Sequence, residues 1–599
     1  MEKGVRIMDL WLLVFLGIIP LLILFFLLVI LRWTARTSMI VAFIFVLILA
    51  RFVWEVPVNK IAGASFVGLE TAFSVLYIVF GALLLLNMLK ESGGLGVIRK
   101  NISSVTEDRR IQVILILWIF GAFLEGAAGY GSTGAVIGSM LVGLGFPAMA
   151  AAMVVMIFQS TSVTFGAAGA PIIIGLSSGL GDGKLENVNN MLQINSWEQF
   201  LLDMTGKTAL IHGIVGTLVP LFMVVLLTGF FGRSVKEGFR VWKFALFGGF
   251  SVTIPYVLSG FFLGPEFPSL LGGLIGIVPA VIAAKKGWFM PKDNVWRFQD
   301  KSEWKKEWIG VFKIESEKVA SFSAFRSWLP YIIVALMLFI LNAPFLPVSA
   351  WMEKTDITVN NIFGSGLETE FELLTSPGFV FLIISILTYW VHKMDKESFK
   401  KSFKESAKTI GSAGAALIFA VPMVQVFLHS DGGAAGFESM PETLATGLTV
   451  ISGNMWAFIA PIVGALGAFL AGSNVFSNLM FSHFQLNMAT YSNLESSWIL
   501  ALQSVGAAAG NMFSVHNVIT AAAAVGLVGR EGDIIRKILI PAFYYIFLSG
   551  AIGYVIILGI GLNIGTLVVL AIYTAIVLAI YINNQDHPLL ADYKERKEG

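Results

Sequence analysis

The 599-residue chain is 56% hydrophobic and 13% charged, with a formal net charge of +2 and a mean hydropathy of +0.81. That balance excludes an ordinary soluble domain and points to an all-α polytopic membrane protein. The chain has no cysteine, which excludes disulfides, thiolate catalysis and cysteine-held metals; its basic residues sit in loops beside apolar stretches, so nucleic acid is not an expected partner.

In chain order, 1–110 holds the N-terminal spans. The uncharged stretch 10–31 is too long, and too little followed by small-residue cleavage chemistry, to be a removable signal peptide. Glu70, in Gly68-Leu-Glu-Thr-Ala, lies on an early span. Residues 111–230 form a first core, 231–442 connect through further spans and cytoplasmic loops, 443–537 form a second core, and 538–599 carry the C-terminal spans and tail. In the connecting part, Trp304, Trp308, Val311 and Phe312 fall on one helical face among lysines, as an amphipathic helix on the membrane surface would. Phe399 and Phe403 between Lys400, Lys401 and Lys404 repeat the pattern.

The two cores resemble each other. Gly121-Ala-Phe-Leu-Glu-Gly-Ala-Ala-Gly-Tyr-Gly returns as Gly467-Ala-Phe-Leu-Ala-Gly-Ser-Asn. Phe158-Gln-Ser-Thr-Ser-Val-Thr-Phe-Gly-Ala-Ala-Gly returns, at nearly the same offset, as Leu502-Gln-Ser-Val-Gly-Ala-Ala-Ala-Gly-Asn. Lysine and arginine gather in 90–110, 231–243, 285–326, 393–408 and 530–537, which are placed in the cytoplasm. The loops 177–206, 348–375 and 429–445 are poor in them and are placed outside. The first core then runs inside to outside and the second outside to inside, an inverted-topology pair. Each has three apolar pieces: 111–124, 134–147 and 148–176, then 449–471, 479–490 and 497–527. The short first two pieces of each core, joined by Gly-rich or small polar residues, are expected to form a re-entrant hairpin. The third is expected to be a span broken at Gly166–Pro171 in one copy and Gly506–Gly510 in the other. About 13 full crossings and two hairpins result.

Enzyme-like strings fail on inspection, so no enzyme is expected. Gly206-Lys-Thr ends like a phosphate-binding loop, but the first glycine that loop needs is Leu201. Gly175-Leu-Ser-Ser-Gly has no preceding strand, and Asp182 has no intramembrane aspartate to pair with. Without a nucleotide site, uphill transport must draw on an ion gradient. What remains is binding chemistry. Ser473, Asn474 and Ser477 sit at the second hairpin tip; Gln159, Ser160, Thr161, Ser162 and Thr164 precede the first break; Gln503, Ser504 and Asn511 surround the second. A broken helix offers free N–H groups to a carboxylate, and amides and hydroxyls give directional bonds to a substrate hydroxyl. Small residues that merely allow close helix packing are the competing explanation. Glu125, at the first tip, faces Ala471 in the second copy, the asymmetry a single coupling site would have; a carboxylate fixed by backbone amides is the alternative. His516 and Glu70 are further intramembrane candidates.

At these residues the chain resembles the L-lactate permease family. The first signature region comprises the Gly121 run, Leu144-Gly-Phe-Pro and Val163-Thr-Phe-Gly-Ala-Ala-Gly-Ala-Pro-Ile. The second comprises the Gly467 run, Gln503-Ser-Val-Gly-Ala-Ala-Ala-Gly-Asn-Met, His516-Asn-Val and Gly529-Arg-Glu-Gly. Phe80-Gly-Ala-Leu-Leu-Leu-Leu-Asn also fits. The resemblance implies symport of 2-hydroxymonocarboxylates such as lactate and glycolate with a cation, usually the proton rather than Na+, across a bacterial inner membrane. No organic cofactor is implied; the resemblance also implies kinship with the ion transporter superfamily, whose members often form elevator dimers, and leaves the homodimer and the choice between elevator and rocking motion open. Ala127-Ala-Gly-Tyr-Gly-Ser-Thr-Gly and Phe158-Gln-Ser-Thr-Ser-Val-Thr depart from the family pattern. That leaves open a carrier for another organic anion, a dicarboxylate or sugar acid, and, in a different class, a passive channel.

Overall fold

Apolar sequence becomes helix almost throughout, because a chain in lipid must satisfy its backbone polar groups internally. The computed structural model describes every residue except 1–6, 32, 130–131, 182–185, 193–195, 233, 292–294, 311–318, 343–347, 528 and 585–599. Among the described residues, 10 helices are long and apolar enough to cross a membrane, or up to 12 if each of two bent pairs is one span. This is fewer than the 13 expected from hydropathy, because short pieces such as Ala148–Phe158 and Pro377–Val391 fall below spanning length. The protein is a multi-pass membrane protein.

Two long helices, Val58–Glu91 and Lys396–Leu428, pack on each other. A Cβ on Gly68 would lie 2.4 Å from the Cα of Pro422, so only glycine permits the crossing. The expected external loop 348–375 contains a two-stranded antiparallel ribbon, Ile357–Val359 with Thr369–Phe371.

The pieces expected at 111–124 and 134–147 are instead Arg109–Ala128, helical with a π-type stretch at Ile114–Phe120, and Ser132–Gly143; the first arm, at 20 residues, is long and apolar enough to cross a membrane rather than too short for it. The outer ends of the two pieces meet. The Arg109 guanidinium lies 5.5 Å from the Phe146 ring centre, and a Cβ on Gly145 would lie 3.5 Å from Arg109 Nη2. The tip residues Tyr130 and Gly131 lie outside the described residues. The second hairpin joins Trp456–Ala471 to Asn474–Tyr491 through Gly472, whose φ of +74° suits glycine. Its base is closed by Trp456 Nε1, which donates to Gln485 Oε1 at 2.7 Å. The arms differ from the expected 449–471 and 479–490. The chain breaks at Gly453 (φ +46°) between Met440–Ser452 and Trp456–Ala471, and the second arm starts five residues early, at Asn474.

The first broken span behaves as expected. After Ala148–Phe158, a short 3-10 turn at Ser162–Phe165 leads to Ala167, Ala168 and Gly169, all with positive φ, before helix resumes at Pro171. The second does not break at Gly506–Gly510. Ser496–Asn511 is continuous helix, and the interruption falls at 512–514, where the axis bends by 42° before His516–Ala524. The glycines serve packing: a Cβ on Gly506 would lie 2.0 Å from the Pro461 carbonyl oxygen, and one on Gly510 2.1 Å from that of Ala465.

Among the described residues around Trp304 no amphipathic helix forms. Only single 3-10 turns form at Lys301–Glu303 and Lys306–Trp308, and Val311 and Phe312 lie outside the described residues, as does Asp182. Trp308 is buried, edge-on to Phe231 with ring centres 4.9 Å apart, so the aromatics fold onto the protein. Phe399 and Phe403 do lie on a helix, Lys396–Leu428, where Phe403 packs on Phe80 at 5.4 Å.

Candidate functional site

Where the second hairpin tip meets the first broken span, polar groups concentrate in an apolar interior. Asn474 opens the hairpin's second arm. Its Nδ2 donates to Thr164 Oγ1 at 3.1 Å and to the Ser504 carbonyl oxygen at 3.4 Å. Thr164 Oγ1 lies 2.8 Å from His212 Nε2, His212 Nδ1 lies 2.5 Å from Tyr545 Oη, and Tyr545 Oη lies 3.0 Å from Thr161 Oγ1. Tyr256 Oη donates to the Thr161 carbonyl oxygen at 2.9 Å. Every side chain in this chain of bonds is buried. Two of its atoms nevertheless have no partner among the described residues: Asn474 Oδ1 and Ser504 Oγ. Buried polar atoms are ordinarily bonded, so an orphaned pair on adjoining side chains marks a place built for something else.

The other expected residues separate into neighbouring groups. Gln159 Oε1 accepts from Asn511 Nδ2 at 3.2 Å, and Asn511 Oδ1 accepts from Asn517, so the ends of the two cores' third helices do meet. Ser477 Oγ donates to the Gly464 carbonyl oxygen at 2.7 Å and accepts from Gln503 Nε2 at 3.1 Å, while Gln503 Oε1 accepts from Gln485. These bonds tie the second hairpin to Ser496–Asn511 and leave Ser477 and Gln503 fully engaged within the protein. Ser160 bonds back to its own helix at Ile157. Ser473 stands at the N-terminal position of its helix without a capping bond. The backbone N–H groups of Gly506–Gly510 lie in continuous helix and are not free for a carboxylate, a correction to the expected role.

Glu125 is completely buried, and neither carboxylate oxygen has a partner meeting hydrogen-bond geometry among the described residues; the Thr133 hydroxyl is its neighbour. A Cβ on Gly166 would lie 3.1 Å from Glu125 Oε1, so the carboxylate rests against the first break. Glu70 sits elsewhere, accepting from Ser74 Oγ at 2.6 Å and Thr369 Oγ1 at 3.0 Å. His516 is exposed on Val515–Ala524, beside Gly472 of the second tip. Among the described residues, no group of three or more His, Asp or Glu could hold a metal ion. A cleft of about 500 Å³ lined by Phe200, Asp203, Lys207, Thr490, Glu495 and Ser497, among others, shares no residue with this network.

Tyr545, Tyr256 and Gln485 escape motif reading because they lie outside the repeated strings. A tyrosine inside an uncharged span is the available signal, since a buried phenol needs a partner.

A model of the L-lactate permease family matches residues 14–560. The chain is 27% identical to a putative L-lactate permease of Haemophilus influenzae, over 80% of this chain and 86% of that one. It is 26% identical to the L-lactate permease of Bacillus subtilis (87% and 91% covered) and 26% identical to a glycolate permease of Escherichia coli (87% and 91%). These relatives are permeases rather than enzymes, and with a match spanning nearly its whole length the chain belongs to the L-lactate permease family.

Proposed function

We propose that this protein is a secondary transporter of the bacterial inner membrane that takes up L-lactate and related 2-hydroxymonocarboxylates such as glycolate together with a proton. Family membership and relatives named for lactate and glycolate support the substrate class. One observation carries the coupling: Glu125, a buried carboxyl group with no charged partner among the described residues and the Thr133 hydroxyl as its polar neighbour, pressed against the first helix break. An ionised carboxylate left unpaired away from water costs several kcal/mol, so Glu125 takes a proton when it is enclosed and releases it where water reaches it. Substrate binds between the second hairpin tip and the first broken span, at Asn474, Thr164 and Ser504, and the two hairpins admit water alternately. A dicarboxylate would bring a second charge. Among the described residues the only Lys or Arg buried in the protein is Arg110, already held by Asp108 and Glu237.

The test uses purified protein in proteoliposomes. Counterflow of labelled lactate identifies a carrier, and its absence under conditions that permit leak identifies a channel. Glu125→Gln keeps size and hydrogen bonding but cannot titrate. It is expected to abolish accumulation driven by a pH gradient while preserving lactate exchange, which needs no net proton movement. If the variant still concentrates lactate on a pH gradient alone, the proton is carried elsewhere, and exposed His516 is the next residue to test.

A further inference from the structure

Asn474 is a buried amide that donates two hydrogen bonds to its neighbours, and its orientation is dictated by one of them. One goes to Thr164 Oγ1 at 3.1 Å and the other to the Ser504 carbonyl oxygen at 3.4 Å. A backbone carbonyl can only accept, so exchanging the amide's nitrogen and oxygen would set two acceptors against each other. Thr164 is itself held in place, because its hydroxyl lies in the chain running through His212 and Tyr545 to Thr161. Threonine and tyrosine hydroxyls both donate and accept, so the chain closes in either histidine tautomer and leaves the Asn474 orientation unchanged. The side chain therefore presents one free atom, Oδ1, which is buried and has no partner among the described residues. Ser504, whose carbonyl oxygen accepts from this amide, also has a buried Oγ with no partner among the described residues.

An amide oxygen cannot face a carboxylate, which has no hydrogen to give; it needs a donor. We infer that Asn474 Oδ1 reads the hydroxyl of the transported acid, so that the site selects a 2-hydroxy acid against the 2-keto acid of the same carbon skeleton. In this arrangement the carboxylate turns toward the Ser504 hydroxyl. Lactate and pyruvate share charge and nearly share size, but pyruvate would set a carbonyl oxygen against Oδ1 and leave two buried acceptors unpaired. An unpaired buried group weakens binding by about 5- to 150-fold. A pocket that merely measures size could not separate two acids so alike. The inference rests on the transport reading above and narrows it to a donor requirement read by one residue.

The experiment is counterflow of labelled lactate in proteoliposomes, competed with unlabelled lactate, pyruvate, 2-hydroxybutyrate, 2-ketobutyrate and propionate. Each keto acid is expected to compete at least about tenfold more weakly than its hydroxy partner, and propionate, which has no hydroxyl, also weakly. Asn474→Leu, close in volume but without polar atoms, should weaken lactate by about 5- to 150-fold while changing pyruvate little, so that the preference collapses. Equal competition by lactate and pyruvate in the wild-type protein overturns the inference and needs no variant to fold. Equal weakening of both acids in a well-folded Asn474→Leu protein overturns it too. No lactate counterflow at all would remove the transport reading and the inference together, whereas counterflow with equal competition removes the inference alone.

Discussion

Replacing Gly506 by alanine tests whether the small-residue stripe of the second core is packing or binding surface. The added Cβ would stand 2.0 Å from the Pro461 carbonyl oxygen. An ordinary carbon–oxygen contact is about 3.3–3.6 Å, so Trp456–Ala471 and Ser496–Asn511 would have to part by more than about 1 Å. The obstructing atom is backbone, which cannot swing aside as a side chain could. Overpacking of this kind costs about 1–3 kcal/mol, against at most about 1 kcal/mol recovered from alanine's better helix propensity. The net expectation is a loss on the order of 1–2 kcal/mol. Gly532 supplies the control. It is exposed in the first turn of its helix, and nothing lies within 4 Å of where an added methyl group would stand, so Gly532→Ala should be neutral or slightly stabilising. Thermal unfolding of both detergent-solubilised variants, followed by intrinsic tryptophan fluorescence, reads the difference. A Gly506→Ala protein that melts at or above the wild-type temperature would refute the packing argument and reopen this backbone as a ligand surface.

Three further outcomes follow from the same structure. Arg110, fully buried, pairs with Asp108 at 2.6 Å and with Glu237 at 3.0 Å. Arg110→Met should therefore destabilise by about 3–5 kcal/mol, read as a lower thermal midpoint, and equal stability would show that the pair is dispensable. Asp395 caps Lys396–Leu428, and the hydrogen bonds from the Ser398 backbone N–H and hydroxyl hold its carboxyl below the usual aspartate range. A group lowered in the folded state stabilises above its unfolded value and loses that contribution as pH falls through the folded one. The gap in thermal midpoint between wild type and Asp395→Ala should thus be present at about pH 7 and shrink below about pH 4; a gap that grows on acidification would contradict the capping assignment. Tyr545→Phe removes the link between His212 and Thr161. It should raise the lactate concentration for half-maximal counterflow by several-fold and lower the thermal midpoint, since two buried atoms lose a partner; an unchanged half-maximal concentration would detach this end of the chain from the site.

Much of the architecture is legible because lipid leaves a chain few options. The helical, multi-pass character and the first break follow from apolar length interrupted by glycine and polar residues. At 166–169 the sequence Gly-Ala-Ala-Gly before a proline marks a true interruption, with three successive residues at positive φ. Gly506-Ala-Ala-Ala-Gly510 looks almost the same yet is uninterrupted helix. The difference is not local. The first string has a proline shortly after it and lies against Glu125 and the Pro265 carbonyl, whereas the second lies flat against Trp456–Ala471, where a helix without Cβ atoms at 506 and 510 can approach most closely. Glycine at four-residue spacing reads as a break or as a crossing, and only the neighbour decides. The helix around Trp304 fails for a related reason: helical spacing of aromatics describes a face, and here the protein itself, through Phe231, supplies a better surface than a lipid interface.

The same asymmetry separates the two candidate duties of the site. The break that does form in the first core is lined by Glu125; the matching position of the second core is Ala471, at the end of a helix beside Gly472. The second core instead contributes Asn474 and Ser504, each with a buried, uncharged polar atom that has no partner among the described residues. At the matched tip positions the two copies have thus diverged: one holds a carboxyl group that can change charge, and the other an alanine beside amide and hydroxyl groups that exchange hydrogen bonds. Coupling requires the first property and recognition the second. Because Thr164 stands two residues before Gly166, with Asn474 on one side and Glu125 on the other, substrate seated at Asn474 and a proton seated on Glu125 would both bear on the same short non-helical segment. Occupancy of either position can then bias the conformation that the other requires, which is the physical content of coupled transport.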